Sequence, residues 1–181
     1  DSLDNKLLKK MKQAGCYVLS VGIESGNNRI LKEMKKSLTI ETVTEKVNLI
    51  KELGVGVVGF FIIGFPTETK QDILNTIKFA KSLPLDRANF TIYMPLPRTE
   101  MYNKLVEEGE IEKIDFSKYG SYAMASYSSK FVSSNELKQL QRKAFREFYF
   151  RPKILINIMR QINSISHFKE LVKRFFVYGG S

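Results

Sequence analysis

The chain has 181 residues, and 43% of them are hydrophobic, which is enough to fill one sizeable core. One cysteine and one histidine exclude a disulfide framework and a zinc site of thiolate or imidazole ligands built from this chain alone. The formal net charge of +10 is concentrated in residues 135–181, where ten Lys and Arg side chains stand against three Glu.

The first element predicted is an amphipathic helix, because Leu3, Leu7 and Leu8 share one face and Gly15 follows as a stop signal. No secretory leader and no apolar run of the roughly 18 residues that a membrane span needs is visible, so we expect a cytoplasmic protein. Since a helix begins at once, we also expect the chain to be a piece of a longer protein.

A continuous apolar run over residues 17–23 predicts the first strand. The absence of polar alternation predicts burial on both faces, as in a parallel sheet covered by helices. Cys16, next to this run, is expected to be a buried thiol. A short helix is predicted over residues 28–35, and Thr39 precedes a longer helix that Gly54 ends.

The second apolar run, residues 55–63, predicts another buried strand. Thr69 and Asp72 then predict a capped helix that stops before Pro84. A third strand is expected over residues 89–94, and Thr99 is positioned to cap a short helix through Glu107. The strands start about 35 residues apart, a spacing typical of parallel βα units.

Three strands are too few to close a barrel. We therefore predict an α/β fold, a partial (β/α) barrel with about three parallel strands over residues 1–108. Residues 109–133 are expected to form an irregular connection or lid, and residues 134–181 a basic helical extension. In that extension Ser133 and Glu136 start a helix, and the Arg151-Pro152 step breaks it. His167 is expected to have a structural role.

The first strand ends in Glu24 and Ser25, where a carboxylate and a hydroxyl could bind ribose hydroxyls or an amino group. The structural alternative is that Ser25 or Asn27 only caps the helix that begins near Asn28. Arg29 is a charge partner for a ligand carboxylate at that helix start, although a solvated surface position is the favoured interpretation.

The second strand ends in a turn of sequence GFPTE. Gly64 lets the backbone approach a flat ligand closely, and Glu68 offers an acceptor; the alternative is a turn that needs glycine and proline for shape only. Ile62 and Met94, at the ends of the second and third strands, are candidates to flank a purine ring. No catalytic residue is assigned, because paired carboxylates, a serine triad and a phosphate-binding loop are missing.

In this order, the runs resemble the second half of a radical S-adenosylmethionine (SAM) domain, in particular that of cobalamin-associated enzymes such as anaerobic magnesium-protoporphyrin ester cyclase-like proteins. The matching segments are VGIESG at 21–26, LKEMKK at 31–36, 59–68, YMPLPRTE at 93–100 and FYFRPK at 148–153. Arg98 stands where that family often has glycine.

The resemblance implies a partial barrel that binds SAM and a 4Fe-4S cluster and cleaves SAM reductively to a 5′-deoxyadenosyl radical. It places Glu24 and Ser25 near the ribose and methionine portion, Ile62 and Gly64 beside adenine, and Met94 with Pro95 on its other side. The cluster motif CxxxCxxC is absent from this chain, so the cluster and the first half of the barrel are expected in the parent protein.

The same resemblance implies a small-molecule substrate, oxidative cyclisation or methylation-type chemistry, and an isolated chain without activity. It leaves open whether the parent protein holds cobalamin. The first strand, cut from its neighbour, is expected to self-associate or to need a covering segment. The alternative is a non-enzymatic module whose basic tail binds RNA or an anionic membrane; the favoured interpretation is that these charges form a solvated helix face.

Overall fold

A three-stranded parallel sheet forms the centre of the computed structural model, which describes residues 3–111 and 128–160. Its strands β1 (Val18–Glu24), β2 (Gly56–Ile63) and β3 (Arg87–Ile92) lie side by side in chain order. Val58 is paired with Ser20 on one side and with Arg87 on the other. The predicted number of strands and their parallel direction are confirmed.

Helices connect and cover the strands, and four of their starts follow the predicted capping signals. Thr39 and Thr99 cap helices through their hydroxyls, and the pairs Thr69/Asp72 and Ser133/Glu136 form complete capping boxes. The helices of the described residues are α1 (Asn5–Gln13), α2 (Asn28–Glu33), α3 (Ile40–Glu52), α4 (Lys70–Ser82), α5 (Glu100–Glu107), α6 (Ser134–Tyr149) and α7 (Pro152–Arg160).

The core lies on one face of the sheet. Val57, Phe61 and Ile63 of β2 are at most 1% exposed and belong to the same apolar cluster as residues of α3, α4 and α6. Burial of both faces of the first strand was expected, and this expectation is wrong, because its burial alternates and Val18 is 38% exposed. The helices of the described part cover one face only, so the run of apolar residues does not correspond to two buried faces.

The opposite face of the sheet carries the strand residues that alternate with the core positions. Phe60 lies at its centre, 39% exposed, between Gly22 of β1 and Asn89 of β3 in the strand register. We call this surface the open face; its members are Val18, Ser20, Gly22, Val58, Phe60, Ile62, Asn89 and Thr91.

The start of the C-terminal helical extension is attached to the edge of the sheet. Gln141 Nε2 donates to the carbonyl of Phe90 over 2.7 Å, and the Tyr149 hydroxyl donates to the carbonyl of Ala88 over 2.9 Å. Residues 112–127 of the expected connection lie outside the described residues, as do His167 and the basic residues after 160.

Two smaller expectations concern single residues. Cys16 is half-buried rather than buried, and its thiol lies 3.6 Å from the carbonyl oxygen of Val18. Arg98, at the position where glycine is common in the resembled family, has a φ of 69°, which L-residues adopt at a cost.

Within the described ranges no helix is long and apolar enough to cross a membrane.

Gly64 has two reasons to be a glycine, its backbone conformation and its close neighbour. Its φ is 80°, and an added Cβ would lie 2.7 Å from Cδ2 of Leu137 in α6. Gly15 has a similar φ of 92° but nothing within 4 Å of an added Cβ.

We therefore predict that Gly64→Ala lowers the free energy of unfolding by about 1–3 kcal/mol more than Gly15→Ala does. Both variants carry the backbone strain, and only Gly64→Ala also displaces Leu137. Chemical denaturation of the chain measures both values, and equal losses would contradict the close contact between the turn and α6.

The free edge of β1 generates a second prediction. Among the described strands β1 pairs only with β2, and Tyr17 beside it is 79% exposed. Unpaired edges of this kind associate with other strands, and a lysine on them opposes it.

The chain is expected to self-associate with rising concentration in sedimentation velocity runs, and Val18→Lys is expected to shift it toward monomer. A wild-type chain that stays monomeric, with freely exchanging β1 amides and full stability, would show that this edge needs no cover.

Candidate functional site

Glu24, at the end of β1, has an unusual backbone conformation. A bulge interrupts the pairing with β2 between Gly22 and Glu24, and the φ of Glu24 is 68°. Bulges and left-handed non-glycine residues redirect side chains and cluster at functional sites. As a result the carboxylate returns over the strand: a Cβ on Gly22 would lie 2.9 Å from Glu24 Oε1, on the open face.

The Glu24 carboxylate has a cationic partner in the turn after α2. Lys36 Nζ donates to Glu24 Oε1 over 2.9 Å, and the Glu24 side chain is only 14% exposed. Lys35, next in this turn, pairs with Glu100 at the start of α5. Glu24 is thus held in place on the open face.

Ser25 faces the opposite way, into the protein, and is fully buried. Its hydroxyl shares a 3.2 Å hydrogen bond with Thr76 Oγ1 of α4 and accepts one from the Asn27 amide. Thr76 Oγ1 also accepts the amide of Gly26 over 3.0 Å. A Cβ on Gly26 would lie 2.8 Å from Cα of Thr76, so the loop lies directly on the backbone of α4.

Asp72, one turn earlier in α4, holds the next part of the same loop. Its Oδ1 accepts from Asn27 Nδ2 and its Oδ2 from Arg29 Nη2, both over 2.6 Å. Partial burial opposes the charged form, but hydrogen bonds from Thr69 and the Arg29 guanidinium keep the pKa of Asp72 below its ordinary value.

We call these five residues, Ser25, Asn27, Arg29, Asp72 and Thr76, the α4 clamp. Arg29 extends it, because its guanidinium also donates to the Thr67 carbonyl and pairs with Glu33. The predicted capping role of Asn27 is confirmed, since its side chain accepts from the Arg29 amide. Arg29 is not freely solvated, although its side chain is 47% exposed.

Glu68 is buried in the turn after β2. Its Oε2 accepts the amides of Gly64 over 2.6 Å and of Phe65 over 3.1 Å, and its Oε1 has no hydrogen-bond partner. Burial raises the pKa of this carboxyl to about 7, although the two amides favour the charged form. In this structure the Glu68 side chain holds its own turn, because it binds the amides of Gly64 and Phe65.

The apolar candidates lie at the same edge of the sheet. Ile62 is half-buried on the open face at the end of β2, and Met94, just after β3, is 40% exposed, whereas Pro95 is buried. Gly64 follows β2, and its side-chain position is filled by Leu137. Because parallel strands end at one edge, Glu24, Ile62 and Met94 border a common surface.

The structure thus separates the predicted residues into two groups. Glu24 and Ile62 lie on the open face and Met94 is exposed just after β3, while Ser25, Arg29 and Glu68 hold the loops behind the face. Sequence reasoning missed Thr76 and Lys36 as neighbours of this site. A signal for Thr76 was present, because it is a hydroxyl within the apolar stripe of Ile73, Ile77 and Ala80 on α4.

The chain does not have the ligands of an iron–sulfur cluster. A 4Fe-4S cluster takes cysteine thiolates, and the sequence has Cys16 alone. Over the described residues no three His, Cys, Asp or Glu side chains are grouped as a metal site.

Comparison with family models identifies the N-terminal part of the chain. Residues 1–80 match the model of the radical SAM superfamily. The match confirms the resemblance that the strand-end motifs indicate.

Curated relatives include an uncharacterised methyltransferase of Pyrococcus horikoshii, 36% identical over 156 residues. That alignment covers 86% of this chain and 34% of the relative. The anaerobic magnesium-protoporphyrin IX monomethyl ester cyclase of Cereibacter sphaeroides is 28% identical over 148 residues, covering 82% of this chain and 24% of the enzyme. The chain therefore spans about a quarter to a third of the length of these relatives.

Solved structures confirm the partial-barrel fold. The radical SAM methyltransferase TsrM from Kitasatospora setae, solved with cobalamin and a [4Fe-4S] cluster, matches with a TM-score of 0.55 at 20% identity. The match covers 63% of this chain and 23% of that one. HemN from Escherichia coli, a radical SAM coproporphyrinogen III oxidase, gives 0.52 at 22% identity, covering 57% and 24%. The relatives named here are enzymes, and the alternative of a non-enzymatic basic module has no support among them.

The buried Glu68 predicts a pH dependence of stability. Its pKa is about 7 in the folded chain and near 4.5 when unfolded, so the unfolded state loses its proton first as the pH rises. The contribution of Glu68 to the free energy of unfolding is fully present below pH 4.5. It is lost between about pH 5 and 8, and the loss amounts to up to about 3 kcal/mol.

Glu68→Gln keeps an acceptor for the Gly64 and Phe65 amides but cannot ionise. Denaturant unfolding between pH 5 and 8 is therefore expected to show wild type losing stability relative to this variant. If the free energy of unfolding changed with pH in the same way for both proteins, the raised pKa of Glu68 would be contradicted.

Proposed function

Because the chain carries part of a radical SAM domain, we propose that its parent protein is an enzyme that cleaves SAM reductively to a 5′-deoxyadenosyl radical. In this proposal the chain supplies one wall of the SAM pocket, formed by the carboxyl ends of β1, β2 and β3. The observation that carries the assignment is the Glu24 carboxylate, redirected over Gly22 onto the open face.

A carboxylate in that position is suited to ribose. Glu24 offers only acceptors, so it binds hydroxyl donors, and the vicinal hydroxyls of a nucleoside provide two of them. Lys36 holds one carboxylate oxygen over 2.9 Å and leaves the side chain oriented before a ligand arrives. A side chain that is already oriented loses less conformational entropy when the ligand binds.

The adenine ring is assigned to the apolar part of the same edge. Ile62 and Met94 offer exposed apolar surface to a flat ring, and the turn at Gly64 lies next to Ile62. We assign Ser25, Arg29, Glu68 and Pro95 to supporting this wall, because the first three are held in contacts behind it and Pro95 is buried. None of these residues is assigned a catalytic role.

The remaining parts of the site belong, in this proposal, to regions of the protein outside these 181 residues. The 4Fe-4S cluster, which supplies the electron for SAM cleavage, needs cysteines that this chain lacks. Upstream strands would pair with the free edge of β1 and close the open face around SAM and a small-molecule substrate. Cobalamin and a methylation or cyclisation reaction are consistent with the relatives, and the isolated chain is expected to be inactive.

The ribose assignment is tested by SAM binding to the parent protein. Glu24→Ala is expected to weaken SAM at least 10-fold, because two charge-assisted hydrogen bonds are lost. Isothermal titration calorimetry of anaerobically purified protein gives the dissociation constants.

Glu52→Ala is the matched control, since Glu52 is an exposed carboxylate at the end of α3. Its SAM affinity should equal that of wild type. An unchanged affinity in Glu24→Ala would overturn the ribose assignment, and a parent protein that binds no SAM would overturn the function.

A further inference from the structure

We propose that Thr76 of α4 is a positioning residue for the SAM site, acting through the loop that carries Glu24. The inference rests on the proposed function and extends it to a residue on a different helix, 52 positions along the chain from Glu24. Thr76 is fully buried and does not border the open face.

The starting observation is that Glu24 has a conformation it would not keep alone. A φ of 68° is unfavourable for a residue with a side chain, and such residues persist only where their surroundings hold them. The Lys36 contact holds the end of the side chain. The backbone must be held by the residues on either side of Glu24.

On the upstream side, Gly22 and Ile23 belong to β1. On the downstream side, the two residues after Glu24 are bound by Thr76 alone among the side chains of α4: its Oγ1 accepts the Gly26 amide over 3.0 Å and shares a hydrogen bond with Ser25 Oγ over 3.2 Å. One buried hydroxyl of α4 thus binds both residues that follow Glu24, in addition to the 2.9 Å hydrogen bond that the Ser25 amide donates to the Ile23 carbonyl.

The fit between loop and helix allows little adjustment. A Cβ on Gly26 would lie 2.6 Å from Cβ of Phe79 and 2.8 Å from Cα of Thr76. The loop lies directly on α4 at this point, so its position depends on the helix surface. Loss of the Thr76 hydroxyl leaves the Gly26 amide without its acceptor, and the loop can regain one only by moving toward water.

Such a movement would turn Glu24 away from the open face without removing its carboxylate. We therefore expect a specific loss of ribose recognition, while the apolar contacts of Ile62 and Met94 with adenine remain. This distinguishes positioning from a general loss of stability.

The test uses the parent protein and two probes, S-adenosylhomocysteine and its analogue lacking both ribose hydroxyls. Thr76→Val replaces the hydroxyl by a methyl group of similar size. It is expected to raise the dissociation constant of S-adenosylhomocysteine 5- to 20-fold and that of the analogue less than 2-fold. Thr76→Ser, which keeps the hydroxyl, should restore binding to within 2-fold of wild type.

Two controls separate the alternatives. Thr44→Val removes a helix hydroxyl that bonds only within α3, to the Ile40 carbonyl. Gly15→Ala strains the backbone before β1, away from the loop. Both should leave the two dissociation constants unchanged, even where Gly15→Ala lowers the melting temperature as much as Thr76→Val does.

Each outcome has a definite meaning. If Glu24→Ala weakens binding and Thr76→Val does not, Thr76 has no positioning role, while the proposed function remains. Equal losses for both probes would show a general loss of structure and overturn the inference. If Thr76→Val does not fold, Thr76→Ala carries the same expectations, and if Glu24→Ala binds normally, the ribose assignment fails with the inference.

Discussion

The candidate site depends on one physical constraint, the attachment of the loop after β1 to the first turns of α4. The α4 clamp joins these segments through the hydroxyl pair of Ser25 and Thr76 and through Asp72, which holds Asn27 and Arg29. Every one of these contacts is between residues more than 40 positions apart. Together with the Lys36 contact to the Glu24 side chain and the hydrogen bond from the Ser25 amide to the Ile23 carbonyl, they fix the left-handed turn at Glu24 against the sheet.

The clamp also links the two strand ends that border the open face. Arg29, held by Asp72, donates to the carbonyl of Thr67 in the turn after β2, where Glu68 holds the Gly64 and Phe65 amides. Charged and polar side chains of this kind are stable in a partly buried setting because each has a partner. The exception is Oε1 of Glu68, which has no partner, and burial raises the pKa of this carboxyl group.

Much of this architecture could be predicted from the sequence, because it follows from local rules. Apolar runs gave the three strands, and the capping pairs Thr69/Asp72 and Ser133/Glu136 gave two helix starts. The open face of β1 could not be predicted, because a continuous apolar run is compatible both with one buried face and with two. The roles of Thr76 and Lys36 also depend on contacts between residues far apart in the sequence. For a carboxylate such as Glu68, the sequence is the same whether the side chain binds a ligand or its own turn.

The most direct test is a crystal structure of the parent protein with S-adenosylhomocysteine bound. The ribose hydroxyls should lie within hydrogen-bonding distance of the Glu24 carboxylate on the open face, and the adenine should lie against Ile62 and Met94. The α4 clamp should be unchanged behind them. A ligand bound elsewhere, or a Glu24 carboxylate turned away from the ribose, would contradict the account.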